Sequence, residues 1–281
     1  MICLNELIKP FVKWVGGKRQ LLPEIQERVP YRYTTYYEPF VGGGAVFLNE
    51  QPKKAVLNDF NEELINTYKV IQNDVEDLIK ELKIHAEHNS EDYFYKIRAL
   101  DRKSEYTELS LVKKAARLIY LNKTCYNGLY RVNQAGFFNT PFGRYKNPNI
   151  VNKYALRTLN KYFNNNDITF KSGDFEEALK GIRKEAFVYL DPPYAPLSTT
   201  ANYTGYTLAG FSTEDQIRLK NQCDKLNEKG VNFLLSNSNV PLIRDLYDEK
   251  DYKIEIVGAK RSVNSKGYKR GEVEEVLIRN Y

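Results

Sequence analysis

The period of the apolar positions changes several times along the chain, and each change marks a predicted element. "TTYYEPF", Thr34 to Phe40, is a β-branched and aromatic run that predicts a strand, and "AVFLNE" after three glycines predicts a short helix. "KKAVLNDF" predicts a second strand. In "NEELINTYKVIQNDVEDLIKELKIHAE", Leu64, Ile65, Tyr68 and Ile71 recur at helical spacing, and Asp74 is expected as a cap between two helical pieces. Ser90 opens "SEDYFYKIRALDRK" as a cap, and "ELSLVKKAARLIYLNK" is strongly periodic. Between Thr124 and Ile150 the periodicity vanishes into a segment rich in Asn, Gly, Tyr and Arg. A loop of that length in a compact protein is usually functional, and its aromatic content argues against disorder.

Strand and helix patterns then alternate again: "DITFKS", "DFEEALKGI", "AFVYL", a loop over 195–211, "STEDQIRLKNQCDKLNEKG", "VNFLLSNS", "YKIEIVGA" and "EVEEVLIRN". Ser212 and Asp215 have the spacing of a capping box, and Gly230 stands past the end of that helix. This alternation predicts an α/β fold with a mostly parallel sheet, helices on both faces and a helical insertion in the middle. No repeat, low-complexity tract or Pro/Gly/Ser linker marks a domain break.

At 281 residues the chain can form one sizeable core or one α/β domain carrying a smaller insert. Hydrophobic residues are 42% and charged residues 28%, with no apolar run near the roughly 20 residues that cross a bilayer. "MICLNELIKP" has Glu6 inside its apolar patch and no small-residue cleavage site, so a cytoplasmic protein without a signal peptide is expected. Cys3, Cys125 and Cys223 show no CxxC spacing, and His85 and His88 are the only histidines. Zinc sites, disulfide frameworks and histidine-based mechanisms are therefore disfavoured, and no metal is expected.

Charge adds a second layer. From Leu109 to Asn166 there is no acid, while Lys113, Lys114, Arg117, Lys123, Arg131, Arg144, Lys146, Lys153, Arg157 and Lys161 are all basic. Gly258 to Gly271 is acid-free too, with Lys260, Arg261, Lys266, Lys269 and Arg270. Together these carry +15 against a chain total of +6, which leaves −9 elsewhere. Such segregation is the footprint of a polyanion partner, although a solvated basic face gives the same pattern. Tyr120, Tyr126, Tyr130, Tyr145, Tyr154 and Tyr162, interleaved with the cations, favour nucleic acid because they can stack on bases or bond phosphates.

Three motifs carry candidate chemistry. In "EPFVGGGAVF", Phe40 and Gly42 to Gly44 lie between a strand and a helix, where glycine lets the backbone approach a ligand; the dinucleotide fingerprint GxGxxG fails because Phe47 stands at its third glycine. Asp59 ends the next strand, where an acid would bond a ribose. "KWVGGKR" is no P-loop, but the only Trp, two glycines and Lys18 suggest a ligand wall. In "LDPPY", Pro192 and Pro193 stiffen a tip that presents the Asp191 carboxylate and the Pro192 carbonyl together beside Tyr194. Two acceptors and an aromatic face suit a planar ring bearing an NH₂ group. Each motif alone is also met as a structural turn.

"KWVGGK", "EPFVGGG", "NDF" and "DPPYAPLS", in this order around a basic insert, resemble the Dam-type, α-group DNA adenine-N6 methyltransferases. "CYNGLYRVN", "FGRYKNP", "LLSNS" and "RSVNSKGYKRGEVEEVL" extend the resemblance over nearly the whole chain. It implies a Rossmann-like S-adenosylmethionine-dependent sheet formed by residues 1–70 and 163–281, with a mostly helical DNA-recognition insert over 71–162 and a base-reading hairpin near 124–146. It implies that Trp14, Lys18, Asp59 and Asp191 contact the donor, that Phe40, Gly42 and Gly44 wall its methionine end, and that Asp174 and Phe175 flank its adenine. Asp191, Pro192, Pro193 and Tyr194 would form the catalytic cradle. Tyr126 would wedge into the stack and Asn127 take up the orphaned strand. Leu129 and Arg131 would read base edges, with Lys13 also reaching a base and Pro141, Arg144 and Tyr145 along the DNA. The implied activity is base flipping and direct in-line transfer at GATC in double-stranded DNA, with no membrane and no obligatory protein partner. RNA adenine, cytosine N4 or a protein amide as acceptor, or an inactive DNA-binding relative, are the competing readings.

Overall fold

The computed structural model describes residues 8–18, 20–196, 211–260 and 272–281. Seven strands form one sheet: β1 (Tyr36–Glu38), β2 (Lys54–Asp59), β3 (Asp167–Ser172), β4 (Phe187–Leu190), β5 (Asn232–Ser238), β6 (Lys253–Lys260) and β7 (Glu272–Arg279). Their order is β3-β2-β1-β4-β5-β7-β6. The first five are parallel, whereas β7 runs antiparallel to both β5 and β6. A mostly parallel, helix-covered sheet is what the alternating pattern predicts.

Side-chain alternation explains why both faces are covered. In β4, Phe187 and Tyr189 join one buried cluster while Val188 and Leu190 join another, and β5 divides likewise, Leu234 against Phe233 and Leu235. Every residue of β4 is buried, as befits a central parallel strand. The first cluster continues without a break from the sheet into α3 (Glu62–Asn73), α4 (Val75–Glu87), α6 (Leu111–Thr124) and α7 (Lys153–Asn164). The central helices thus share the core of the sheet rather than making their own.

Most caps form as the sequence suggests. Ser90 accepts from Tyr93 N at the start of α5 (Glu91–Arg98), and Ser110, which the sequence pattern does not single out, accepts from Lys113 N at the start of α6. Ser212 and Asp215 form a reciprocal box at the head of α9 (Thr213–Glu228). Asp74 does not conform: it separates α3 from α4, but its carboxylate makes no capping bond. "DFEEALKGI" gives only the single turn α8 (Phe175–Ala178). Two short helices begin with proline in their first turn and lack a long apolar period, α1 (Leu22–Gln26) and α10 (Pro241–Leu246); α2 (Ala45–Glu50) matches its pattern.

Candidate active site and nucleic-acid interface

The sheet reverses direction of growth between β1 and β4, and in an open α/β sheet the crevice at the carboxyl ends of two such strands is where ligands bind. Asp191 follows β4 at that edge. Its Oδ1 receives Lys18 Nζ at 2.8 Å and Ser236 Oγ at 3.0 Å. Burial pushes the Asp191 carboxyl above its ordinary range, while the Lys18 charge, its hydrogen bond and that of Ser236 pull it back. The rest of the loop is pinned from β5 and α9. Gln216 Nε2 donates to the Pro193 carbonyl at 3.1 Å, and Ala195 N donates to Asn237 Oδ1 at 3.0 Å. Pro192 is buried and Pro193 exposed. Tyr194 donates its hydroxyl to Glu275 at 2.6 Å and lies under Lys18, whose Nζ is 4.4 Å from the ring centroid.

Across the switch point, β1 runs into the glycine turn. Gly42 and Gly44 adopt positive φ of 48° and 70°. Trp14 separately leaves no room for a side chain here: a Cβ on Gly42 would lie 2.9 Å from Trp14 Cδ1, and one on Gly43 3.0 Å from Trp14 Cβ. Asp59 braces the turn, accepting Gly42 N on one oxygen and Asn61 N on the other, both at 2.9 Å. Each oxygen retains a second lone pair able to accept a further hydrogen bond. Buried Asn58 donates to the carbonyls of Pro39 and Gly173, at 3.0 Å each, tying the ends of β1 and β3 together. Glu38 is buried at the same edge, accepts from Tyr36 OH at 2.6 Å, and is pushed well above its ordinary range by burial and the Asp191 charge.

Phe40 is half-buried, packed on Phe175 at 5.3 Å and edge-on to Phe211 at 5.7 Å. Asp174 caps α8 through Glu176 N and is held by Arg218, whose Nη2 lies 2.9 Å from both carboxylate oxygens; the Arg218 guanidinium also covers the Phe175 ring. Phe60, next to Asp59, is 78% exposed at this edge, an aromatic that reading "NDF" for its acid passes over.

The aperiodic segment is an irregular hairpin with bridges Cys125–Phe142 and Val132–Phe138. At its base, buried Asn122 accepts Lys13 N at 3.0 Å and donates to the carbonyls of Lys13 and Gly128 at 2.8 and 3.0 Å, so Lys13 sits beside the "YNG" turn. Tyr126 is 58% exposed, with its N–H on the Pro141 carbonyl, and Asn127 adopts left-handed geometry at φ 57°. Leu129 is half-buried; Arg131 is exposed and donates to Asn139 Oδ1 at 2.7 Å. Arg144 has φ 54° and faces Glu91 at 3.5 Å, with exposed Tyr145 next to it. Cys125 is packed shut, its thiol pushed up to about 12 by burial, which makes it a core residue rather than a nucleophile.

Part of the acid-free tract is interior. Arg117 is 2% exposed and pairs with Asp101 at 2.8 Å, and Arg157 pairs with Glu76 at 2.7 Å. Tyr120 and Tyr162 are core residues, and Tyr130 stacks on Trp14 at 4.9 Å. Of the six interleaved tyrosines, Tyr126, Tyr145 and Tyr154 face outward. A local run of like charge says nothing about acids brought in from Glu63, Glu76 and Asp101 by folding. The second acid-free run lies largely outside the described residues, as does most of the loop over 195–211. No group of three or more His, Cys, Asp or Glu among the described residues is placed to hold a metal, and no described helix is long and apolar enough to cross a membrane.

A doubly wound sheet with a glycine turn after β1, an acid after β2 and a stiff acidic loop after β4 is an α/β fold with its candidate site at the carboxyl edge of the sheet. Residues 14–263 match the family model described as D12 class N6 adenine-specific DNA methyltransferase, and the chain belongs to that family. Among its relatives is the type II methyltransferase M1.LlaDCHI of Lactococcus lactis subsp. cremoris, 47% identical over 274 residues that cover 98% of this chain and 96% of the relative. The type II methyltransferase M.MjaIII of Methanocaldococcus jannaschii is 43% identical over 292 residues, 98% and 99% of the two chains. The DNA adenine methylase of Escherichia coli strain K12 is 35% identical over 272 residues, 96% and 94%.

Proposed function

We propose that this adenine-specific DNA methyltransferase uses S-adenosylmethionine to methylate adenine N6 within GATC in double-stranded DNA, on a base flipped out of the duplex. The observation that carries the reading is Asp191 at the tip of β4, held through Oδ1 by Lys18 and Ser236 at the switch-point crevice. The residues fit the donor: a backbone turn at Gly42 to Gly44, carboxylates Asp59 and Asp191 suited to a cationic ligand, and the aromatic wall of Phe40 and Phe175. Trp14 and Lys18 complete this side, and Asp174 would meet the donor's adenine amine once Arg218 yields part of its hold. When bound, the donor supplies an activated methyl group on a sulfonium.

Asp191 and the Pro192 carbonyl accept hydrogen bonds from the two N6–H groups, which turns the nitrogen lone pair out of conjugation and aims it at the methyl. As the N6–CH₃ bond replaces the S–CH₃ bond, Asp191 stabilises the positive charge that develops on N6 until one proton leaves it for solvent, and Pro193 keeps the two acceptors in fixed relation. Tyr194 stacks on the base, which reaches the pocket only by leaving the helix. The helical insert over 71–162 reads DNA through the hairpin near 124–146. Tyr126 fills the vacated stack, and Asn127 takes the orphaned base. Leu129, Lys13 and Arg131 contact base edges, Arg131 as a guanine contact after releasing Asn139, while Pro141, Arg144 and Tyr145 follow the backbone.

The test is transfer of labelled methyl from S-adenosylmethionine to duplexes differing only in GATC against GTTC, with Asp191→Ala as control. Incorporation into the first alone, absent in Asp191→Ala, is expected. Equal incorporation into both overturns the recognition assignment, and retained activity in Asp191→Ala overturns the cradle.

A further inference from the structure

Glu275 takes no part in the chemistry above, yet its side chain ends on the catalytic loop. It lies in β7, its Cα paired with Ser238 of β5 on one side and Val257 of β6 on the other, so its backbone is fixed by two ladders. Its carboxylate accepts the Tyr194 hydroxyl at 2.6 Å. Burial, with the charges of Asp191 and Glu275, holds that hydroxyl well above its ordinary range, so it stays protonated and donating. Lys18 stands over the same ring at 4.4 Å while bonding Asp191 at 2.8 Å and the Gly16 carbonyl at 3.1 Å.

These contacts act on different degrees of freedom. A tyrosine held only through its Cβ can rotate about two side-chain bonds, whereas one fastened at its hydroxyl has its ring plane set. One ammonium that touches both the ring and the carboxylate then fixes the platform relative to the hydrogen-bond acceptor. With Lys18 on one face, the ring has a single face left for a purine.

Resting on the reading of Tyr194 as the platform for a flipped adenine, we propose that Glu275 is a positioning residue for the target base. By holding the Tyr194 hydroxyl it orients the ring so that the stacked adenine presents N6 to Asp191. A carboxylate suits the role because hydrogen bonds to a charged acceptor are shorter and stronger than neutral ones.

The test uses the full-length enzyme and duplex DNA with 2-aminopurine at the target adenine, whose emission lifetime lengthens when the base leaves the stack and shortens when it stacks on an aromatic ring. Single-turnover transfer is measured on the natural site. Glu275→Ala should lose about tenfold in transfer rate, the scale of one hydrogen bond to a charged group, with donor affinity unchanged. Its bound 2-aminopurine should gain a long-lifetime population, flipped but unstacked. Glu275→Gln, whose amide oxygen still accepts, should recover most of the rate and the parent lifetime. Tyr194→Phe should resemble Glu275→Ala, and the double variant should be no worse than either single one. Glu275→Ala with the parent lifetimes, Glu275→Gln as impaired as Glu275→Ala, or a double variant whose losses multiply each overturns the role. A parent enzyme that leaves the 2-aminopurine signal unchanged overturns base flipping itself and this role with it, whereas the other failures leave the parent signal intact.

Discussion

At the residue scale, Asp191 is poised between burial, which favours its neutral form, and Lys18, which favours the charged one. Stabilising a cation on N6 requires the charged form, and a carboxylate also accepts a hydrogen bond from an amine more strongly than a neutral carboxyl does. Removing Lys18 deletes the Coulombic and hydrogen-bonding contributions together, so the Asp191 pKa rises further. Lys18→Met is expected to shift the acid limb of the pH–rate profile to higher pH, and Lys18→Arg to shift it back part of the way. A profile of unchanged midpoint in Lys18→Met sinks this account. Asp191 itself was legible in the sequence because two prolines announce a rigid tip. Ser236, Asn237, Gln216 and Glu275 were not, since a polar residue in an apolar strand or a surface-type helix declares no partner until the sheet brings β5, β7 and α9 beside β4.

At the element scale, the N-terminal segment, α6 and the hairpin meet at Asn122. Asn122→Ala would leave the Lys13 N–H and two carbonyls without their buried partner, at a cost of about 1–3 kcal/mol by the usual penalty for unsatisfied groups. A lowered urea midpoint checks it. A second consequence concerns α4 and α6. His85 of α4 stacks on Tyr120 of α6 at 4.9 Å, and burial, with His88 nearby, holds its pKa down to about 4 against an ordinary 6.5. The unfolded chain therefore takes up a proton that the folded protein refuses between these two values. Stability is full above the ordinary value and falls as pH drops through that window. His85→Phe should weaken this acid dependence in denaturant titrations at stepped pH, and an identical slope would show that His85 does not govern it. The helix periods of these elements, like the Ser90 cap of α5, were readable because they are local signals. The partnership of Asn122 with Lys13 spans 109 positions and has no local signature.

At the scale of the whole molecule, a net charge of +6 hides two kinds of cation. Arg117 belongs to the interior, where Asp101 and Glu63 answer it, and Asp101 also accepts the hairpin's Phe138 N at 2.8 Å. Arg117→Ala should cost about 3–5 kcal/mol of stability, the usual loss when a buried pair is broken, read from chemical denaturation. Arg131 belongs to the outside. Arg131→Ala should leave the denaturation midpoint in place and erode discrimination between GATC and single-base variants by about 1–3 kcal/mol, read from competition binding. An Arg131→Ala enzyme with the parent's preferences discards the guanine contact. The basic tract correctly signalled a polyanion partner, but its ten cations could not be sorted from the sequence, because the acids that neutralise some of them lie elsewhere in the chain. The antiparallel β7 was equally unreadable, since "EVEEVLIRN" is a strand pattern with no direction in it.

Trp14 is the only tryptophan in 281 residues, and it lies between the glycine turn that ends β1 and the Tyr130 ring at the hairpin. Its indole is thus the one tryptophan fluorophore, set between the turn proposed to face the donor and the hairpin proposed to face DNA. Excited apart from the tyrosines, its emission registers changes in the packing of the turn on one side and of the hairpin on the other. Unlabelled enzyme can therefore be titrated with methyl donor and with DNA in either order, and the indole will report whether the arrival of one alters the surroundings met by the other.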